Sequence, residues 1–219
     1  ELIFNIQITV YKDTHYAKCR IANHHTNIVL KEKDGEVIEQ SDINSTSSTK
    51  LTDREFLNCS VIYDFVESLD VEDIRDVIGR QIEFNMAIAA EGIQGNYGAN
   101  IGSTILKENE ALNKINDKAV VKQRAKAMAA AGSDARMNGC EMPVVINSGS
   151  GNQGITAVVP VMVFGEYLKA DEDKLYRAVT LSNLIAIYQK YPIGRLSAYC
   201  GAVNAGVGAG CGIAYLYGA

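Results

Sequence analysis

Gly149-Ser150-Gly151-Asn152-Gln153-Gly154 runs directly into ITAVVPVMVFGEYL (155–168) and, past Lys169 and Ala170, into DEDKLYRAVTLSNLIAIYQKY (171–191). The six leading residues fit G-x-G-x-x-G, they follow a candidate strand at Pro143–Ile146, and the acids Asp171 to Asp173 lie at roughly the interval of a ribose-binding carboxylate. A dinucleotide fold needs a second strand after the helix, however, and 171–191 has helical periodicity with its acids at the favoured N-terminal end. The stretch therefore reads as a glycine turn that presents backbone N–H groups to a small carboxylate, followed by two successive helices. A nucleotide-binding oxidoreductase domain is the lesser alternative, and no saturable binding of NAD, NADP or FAD is expected.

Outward from this stretch the chain divides by composition. Thirteen of the 19 glycines fall between Gly132 and Ala219, where six acids balance six bases, so the whole net charge of −5 is carried by residues 1–131. With 21 Lys+Arg against 26 Asp+Glu there is no basic surface to neutralise a phosphate backbone, which excludes nucleic acid as a main partner. Residues 196–219 carry no charge, but their many glycines, Asn204 and three tyrosines make a buried glycine-rich helix the better reading than a membrane span. Ile193 to Tyr217 is expected to be a helical stretch broken by its glycines.

Toward the N-terminus the periodicity changes from 3.6 to 2. Leu2–Tyr11 alternates, with Ile6, Ile8 and Val10 on one half-buried face, and Ala17–Ala22 reads as a second strand. Thr26–Glu32 and Glu36–Gln40 flank Lys33-Asp34-Gly35, where Asp-Gly supplies the positive φ angles of a tight hairpin turn. After the Ser/Thr-rich run 41–50, Thr52 and Glu55 form a capping-box pattern that starts a helix, with Phe56, Ser60, Tyr63 and Val66, or Leu57, Val61 and Phe65, as its packed face. A helix follows Asp70, then a glycine-rich break at Gly92, Gly95, Gly98 and Gly102, then a helix over Asn116–Ala131 whose alanines suit close packing. The fold class is α+β: a short β-rich layer over 1–50, expected to be an incomplete sheet with an exposed edge, and a mostly helical, glycine-rich domain over 51–219.

Five cysteines at irregular spacing do not make a disulfide framework, and point to a reducing cytoplasm. Cys19 and Cys59 read as small buried hydrophobes, whereas Cys140, Cys200 and Cys211 sit in the glycine-rich region where metal ligation is open. On one continuous helix Cys200 and Cys211 would lie about 16 Å apart, beyond the span of one cluster. Either the glycines break that helix or only one of the two is a ligand. Arg136 and Arg195 are sparse cations suited to holding a substrate carboxylate or to a structural ion pair. His24, His25, Thr26 and Asn27 read as a polar turn at the head of a strand.

Ser133-Asp134-Ala135-Arg136-Met137, Gly139-Cys140-Glu141-Met142-Pro143, the 149–155 loop, and Ile193-Gly194-Arg195-Leu196-Ser197-Ala198 through Cys200-Gly201 to Gly212-Ile213 together resemble the L-cysteine desulfidase family, iron–sulfur relatives of the bacterial L-serine dehydratase alpha chain. His25-Thr26-Asn27-Ile28-Val29 and Asp34-Gly35-Glu36-Val37 match in the same order. The resemblance implies an oxygen-sensitive [4Fe–4S] lyase, without pyridoxal phosphate, that eliminates across Cα–Cβ of L-cysteine or L-serine to give pyruvate and ammonia.

It also implies that substrate is held by Ser148, Gly149, Ser150, Gly151, Asn152, Gln153 and Gly154 with His25, Thr26, Asn27, Arg136 and Arg195. Of the thiols, only Cys200 maps onto a cluster ligand; Cys140 and Cys211 lack that correspondence. Family members are about twice as long, with a Gly-Cys-Thr-Glu-Pro-like motif before and two further cysteines after the matched region. The chain is accordingly expected to be an inactive core fragment that holds no cluster by itself, with the catalytic acid or base elsewhere, and to form homo-oligomers through its open sheet edge. A catalytically silent helical interaction module is the remaining alternative.

Overall fold

A computed structural model describes residues 5–23, 27–43, 54–108, 118–194 and 199–219. It has the α+β order read from the sequence, in two compact units, 1–53 and 54–219. The first is a four-stranded antiparallel meander, β1 (Asn5–Lys12), β2 (His15–Ala22), β3 (Ile28–Lys33) and β4 (Glu36–Gln40), in that spatial order. The β3–β4 turn forms at Asp34 and Gly35, with φ of 51° and 87°. Both central residues of such a turn need positive φ so that its twist matches that of the strands. Asp34 is held there by Tyr16, whose backbone N–H donates to Oδ1 at 2.7 Å.

Among the described residues the sheet is open, with β1 and β4 each paired on one side. The expected half-burial of β1 is not seen. Ile6, Ile8 and Val10 are 42, 59 and 60% exposed, because their register partners Ile21, Cys19 and Ala17 lie on the same face and none of the described residues of this unit forms a second layer over it.

The second unit is built around α5 (Gly151–Leu168), which packs against α2 (Val71–Gln94), α4 (Lys118–Met137), α6 (Glu172–Ile193) and α7 (Gly201–Tyr217). A helix apolar on every side must be central, and Ile155, Val158, Val159, Val161 and Val163 are all buried. The amphipathic helices around it begin on side-chain caps. Asp70 Oδ1 accepts from the Glu72 N–H and Asp171 Oδ1 from the Lys174 N–H, each with two acids in the following turn.

Four local expectations are corrected. The first helix, α1 (Cys59–Ser68), starts seven residues beyond Thr52, which lies outside the described residues; Glu55 and Phe56 form a turn, and Asn58 is the cap, accepting from Val61 N at 3.0 Å. Its packed face is Ile62 and Val66 with Leu69, leaving Phe56, Val61, Tyr63 and Phe65 exposed. Instead of a simple break after α2, residues Ile101–Glu108 form α3, in which Gly102 is buried against Ala127 and Ala131 of α4. Pro143–Ile146 is not a strand; the one β feature there is the Asn147–Ser150 bridge, so no βαβ frame surrounds the glycine motif. Finally, α7 is unbroken. A Cβ at Gly208 would overlap the Ser182 carbonyl oxygen of α6, so this glycine closes a helix–helix contact and does not interrupt the helix.

Candidate functional site

Asn147 to Ser150 closes a tight turn by reciprocal backbone bonds, Asn147 N to Ser150 O at 3.1 Å and Ser150 N to Asn147 O at 3.0 Å. Its central residues both have positive φ, 48° at Ser148 and 83° at Gly149. Glycine adopts that conformation freely and serine does not, so the turn stores local strain in Ser148. What holds it is a chain of buried amides beneath. Asn147 Nδ2 donates to Asn183 Oδ1 at 2.8 Å, and Asn183 exchanges two hydrogen bonds with Gln81, at 2.8 and 3.0 Å. Asn85, fully buried, does the same for the approach to the turn, bonding both the N–H and the carbonyl of Val145. The sequence reading missed all four of these residues. Their signal is an Asn or Gln at an apolar position of a helix, or in the residue before the glycine turn, where an unpartnered amide is costly.

The turn delivers the chain into α5. Gly154 is the first residue whose N–H finds a helical acceptor, Ser150 O at 3.1 Å, and the Ser150 hydroxyl caps nothing, so the N–H groups of 151–153 point off the helix end. No acid lies in this first turn. The start of α7 is alike: Cys200 occupies the cap position without a side-chain cap bond, and no acid follows. These two bare helix starts are the ones that carry the predicted site residues, whereas α1, α2 and α6 begin on capped ends.

The two starts meet. A Cβ at Gly201 would overlap the side-chain amide of Gln153, so the Gln153 carboxamide lies against the backbone next to Cys200. In the same first turn of α5, Arg136 Nη1 donates to Asn152 Oδ1 at 3.1 Å, and its side chain lies over Gly151. Among the described residues Arg136 makes no ion pair. The structural ion pair that the sequence left open is therefore not formed among them, and the guanidinium lies at the α5 N-terminus, bonded to Asn152.

Other predicted residues are placed apart or are not described. His25, Thr26 and Arg195 lie outside the described residues. Asn27 is buried in the sheet unit, where its Nδ2 donates to Ala22 O at 2.9 Å and links the facing ends of β2 and β3. Cys140 packs at the edge of the α2–α4–α5 core beside Tyr97; its thiol and the Glu91 carboxylate push the Tyr97 hydroxyl up to about 12. Cys211 packs against the Ile62, Val66 and Leu181 cluster, where burial, with Cys59 as a lesser cause, raises its thiol above the ordinary value. Since α7 is continuous, Cys200 and Cys211 stand about 16 Å apart along it. That selects between the alternatives the sequence left open: the two cannot serve one cluster.

The sequence profile of the serine dehydratase alpha chain family matches residues 14–219. The chain belongs to that family. It is 52% identical over 218 residues to a UPF0597 protein of Desulfitobacterium hafniense, covering 100% of this chain and 49% of that one. It is 49% identical over 214 residues to a UPF0597 protein of Lachnoclostridium phytofermentans, covering 98% and 49%, and 43% identical over 215 residues to one of Treponema denticola, again covering 98% and 49%. The chain thus spans about half the length of these curated relatives. No solved structure matches it. No helix among the described residues is long and apolar enough to cross a membrane.

For an iron–sulfur group, as the resemblance implies for this family, the donor set is partial. Cys200 fits one ligand position, being exposed and free at the bare end of α7. Among the described residues no three His, Cys, Asp or Glu side chains converge.

Proposed function

We propose that this chain is the substrate-side core of a [4Fe–4S]-dependent lyase of the cytoplasm that eliminates across Cα–Cβ of L-cysteine or L-serine, yielding pyruvate and ammonia, with hydrogen sulfide from cysteine. The observation that carries the proposal is the meeting of the glycine-turn helix with the Cys200 helix at Gln153 and Gly201. Two bare helix starts and Arg136, which makes no ion pair among the described residues, give that end the positive potential a substrate carboxylate needs, in a chain whose net charge is −5. The Ser148-Gly149 turn, braced by Asn147, fixes where the first N–H groups of α5 point.

Cys200 would hold one iron, with further thiolates from outside this sequence. When bound, the cluster would supply Lewis acidity for an elimination in which a base takes the Cα proton. This chain's residues bind and orient: Arg136 and the α5 N–H groups hold the carboxylate, and Gln153 lies between them and Cys200. No pyridoxal phosphate takes part.

Anaerobic reconstitution with iron and sulfide tests the reading, applied to this chain and to a form extended to the relatives' length. The readouts are visible absorption, iron content and pyruvate formed from each amino acid. Cluster and pyruvate are expected in the extended form, abolished by Cys200→Ser and retained in Cys211→Ser. A full cluster in the Cys200→Ser protein would sink the assignment.

A further inference from the structure

Two polar atoms at the α5–α7 end are buried without a hydrogen-bond partner among the described residues: Oε1 of Gln153 and Nδ2 of Asn204. The residues are 4 and 8% exposed. Elsewhere this unit satisfies its buried amides in full pairs, as at Gln81–Asn183 and at Asn85 with Val145. Native interiors rarely leave such groups unpaired. The Gln153 amide lies against Gly201, and Asn204 is three residues further along α7, on the same helix face as Gly201. One orphan is an acceptor, the other a donor, and both sit at helix starts that lack caps and acids.

We infer that Gln153 and Asn204 form the clamp for the α-amino-acid head group: Gln153 Oε1 accepts a hydrogen bond from the substrate ammonium, and Asn204 Nδ2 donates one to a carboxylate oxygen. The inference rests on the reading of this end as the substrate site of an amino-acid lyase, and it assigns Asn204, which neither the glycine motif nor the cysteines point to. An amino acid satisfies both orphans. A plain carboxylate leaves the Gln153 oxygen unpaired, and an amino-acid amide takes the negative charge away from Asn204. Pyruvate carries a carbonyl oxygen where the substrate carried its ammonium, so it sets acceptor against acceptor at Gln153; the clamp that holds substrate repels product. Both residues are positioning residues, since neither takes nor gives the Cα proton.

The experiment is a titration of the 219-residue chain, without cluster, followed by the side-chain amide signals of Gln153 and Asn204 in NMR. L-Alanine serves as a head group with no leaving group, and propionate and L-alaninamide each lack one of its charges. L-Alanine is expected to shift both amide signals and to bind more tightly than either partial probe by about tenfold or more. Gln153→Met should bring L-alanine down to the level of propionate. Asn204→Asp should reverse the order, favouring L-alaninamide, which loss of packing alone would not produce. Because the wild-type comparison already decides the matter, a variant that fails to fold does not protect the inference. Equal binding of L-alanine and propionate, no binding of L-alanine, or an unchanged order in Asn204→Asp overturns it. Pyruvate formation by the cluster-loaded extended form reports on the lyase reading separately: head-group binding without turnover keeps the clamp and sinks the lyase, and turnover with indifferent amides does the reverse.

Discussion

Gly201 and Gly206 lie on the same helix five residues apart and make opposite predictions. At Gly201 a methyl would displace the Gln153 carboxamide, while at Gly206 it would meet nothing within 4 Å. Gly206→Ala is therefore expected to stabilise the protein by roughly 0.5–1 kcal/mol through helix propensity, read as a rise in Tm, with unchanged amino-acid binding. Gly201→Ala gains the same propensity but should weaken L-alanine binding by about tenfold, the worth of one charge-assisted hydrogen bond, with the circular dichroism unchanged. Equal effects of the two alanines on binding would show that the Gly201–Gln153 contact is only packing. At this scale the sequence made Gln153 legible, because it lies within a glycine motif with a known mechanism. Asn204 was visible only as a polar interruption of an uncharged helix. Its significance depends on which face of α7 meets α5, and that is a tertiary fact no local pattern encodes.

Among the elements, the sheet's tight turn carries a pH dependence whose sign follows from its hydrogen bonds. The Asp34 carboxyl is held below its ordinary value chiefly by the Tyr16 backbone N–H and then by His15; Glu32 is lowered by the Tyr16 hydroxyl and then by Lys18. Both folded values lie below the unfolded ones, so the stabilisation is fully present above the ordinary carboxylate range of about 4 and is lost as pH falls through the lowered folded values. Amide protection factors over β2–β4, corrected for the intrinsic exchange rate at each pH, should fall on acidification below about pH 4. Asp34→Asn should remove part of that dependence; protection independent of pH down to 2 would refute it. The turn itself was legible because Asp-Gly has few alternatives to positive φ. The start of α1 was not: Thr52/Glu55 and Asn58 are both adequate caps, and burial of Ile62 and Val66 selected the later one. The glycines of α7 misled for a related reason, since a glycine that breaks a helix and one that lets another backbone approach look alike until the partner, here Ser182, is in place.

For the whole molecule, the change in periodicity near residue 50 corresponds to two units that differ in what holds them together. Among the described residues of the sheet unit only Ala22, Asn27 and Val29 are buried. At about 1.5–3 kcal/mol for each fully buried apolar side chain, that cannot offset a backbone entropy cost of about 1–2 kcal/mol per ordered residue. Residues 54–219 instead bury apolar clusters on α5 and a further one between α1 and α6, and the truncation Ile155→Ala on α5 should cost about 2–5 kcal/mol. Expressed separately, 54–219 is expected to show a cooperative thermal transition at the same temperature by far- and near-ultraviolet circular dichroism. Residues 1–53 should show no cooperative transition as a monomer, although their hairpin turns are locally well encoded. The turns fix register, but register without a second layer buries too little surface to make a stable domain. A two-state melt of monomeric 1–53 would mean that strand pairing alone outweighs the chain entropy, and the sheet would then have to be treated as a domain in its own right.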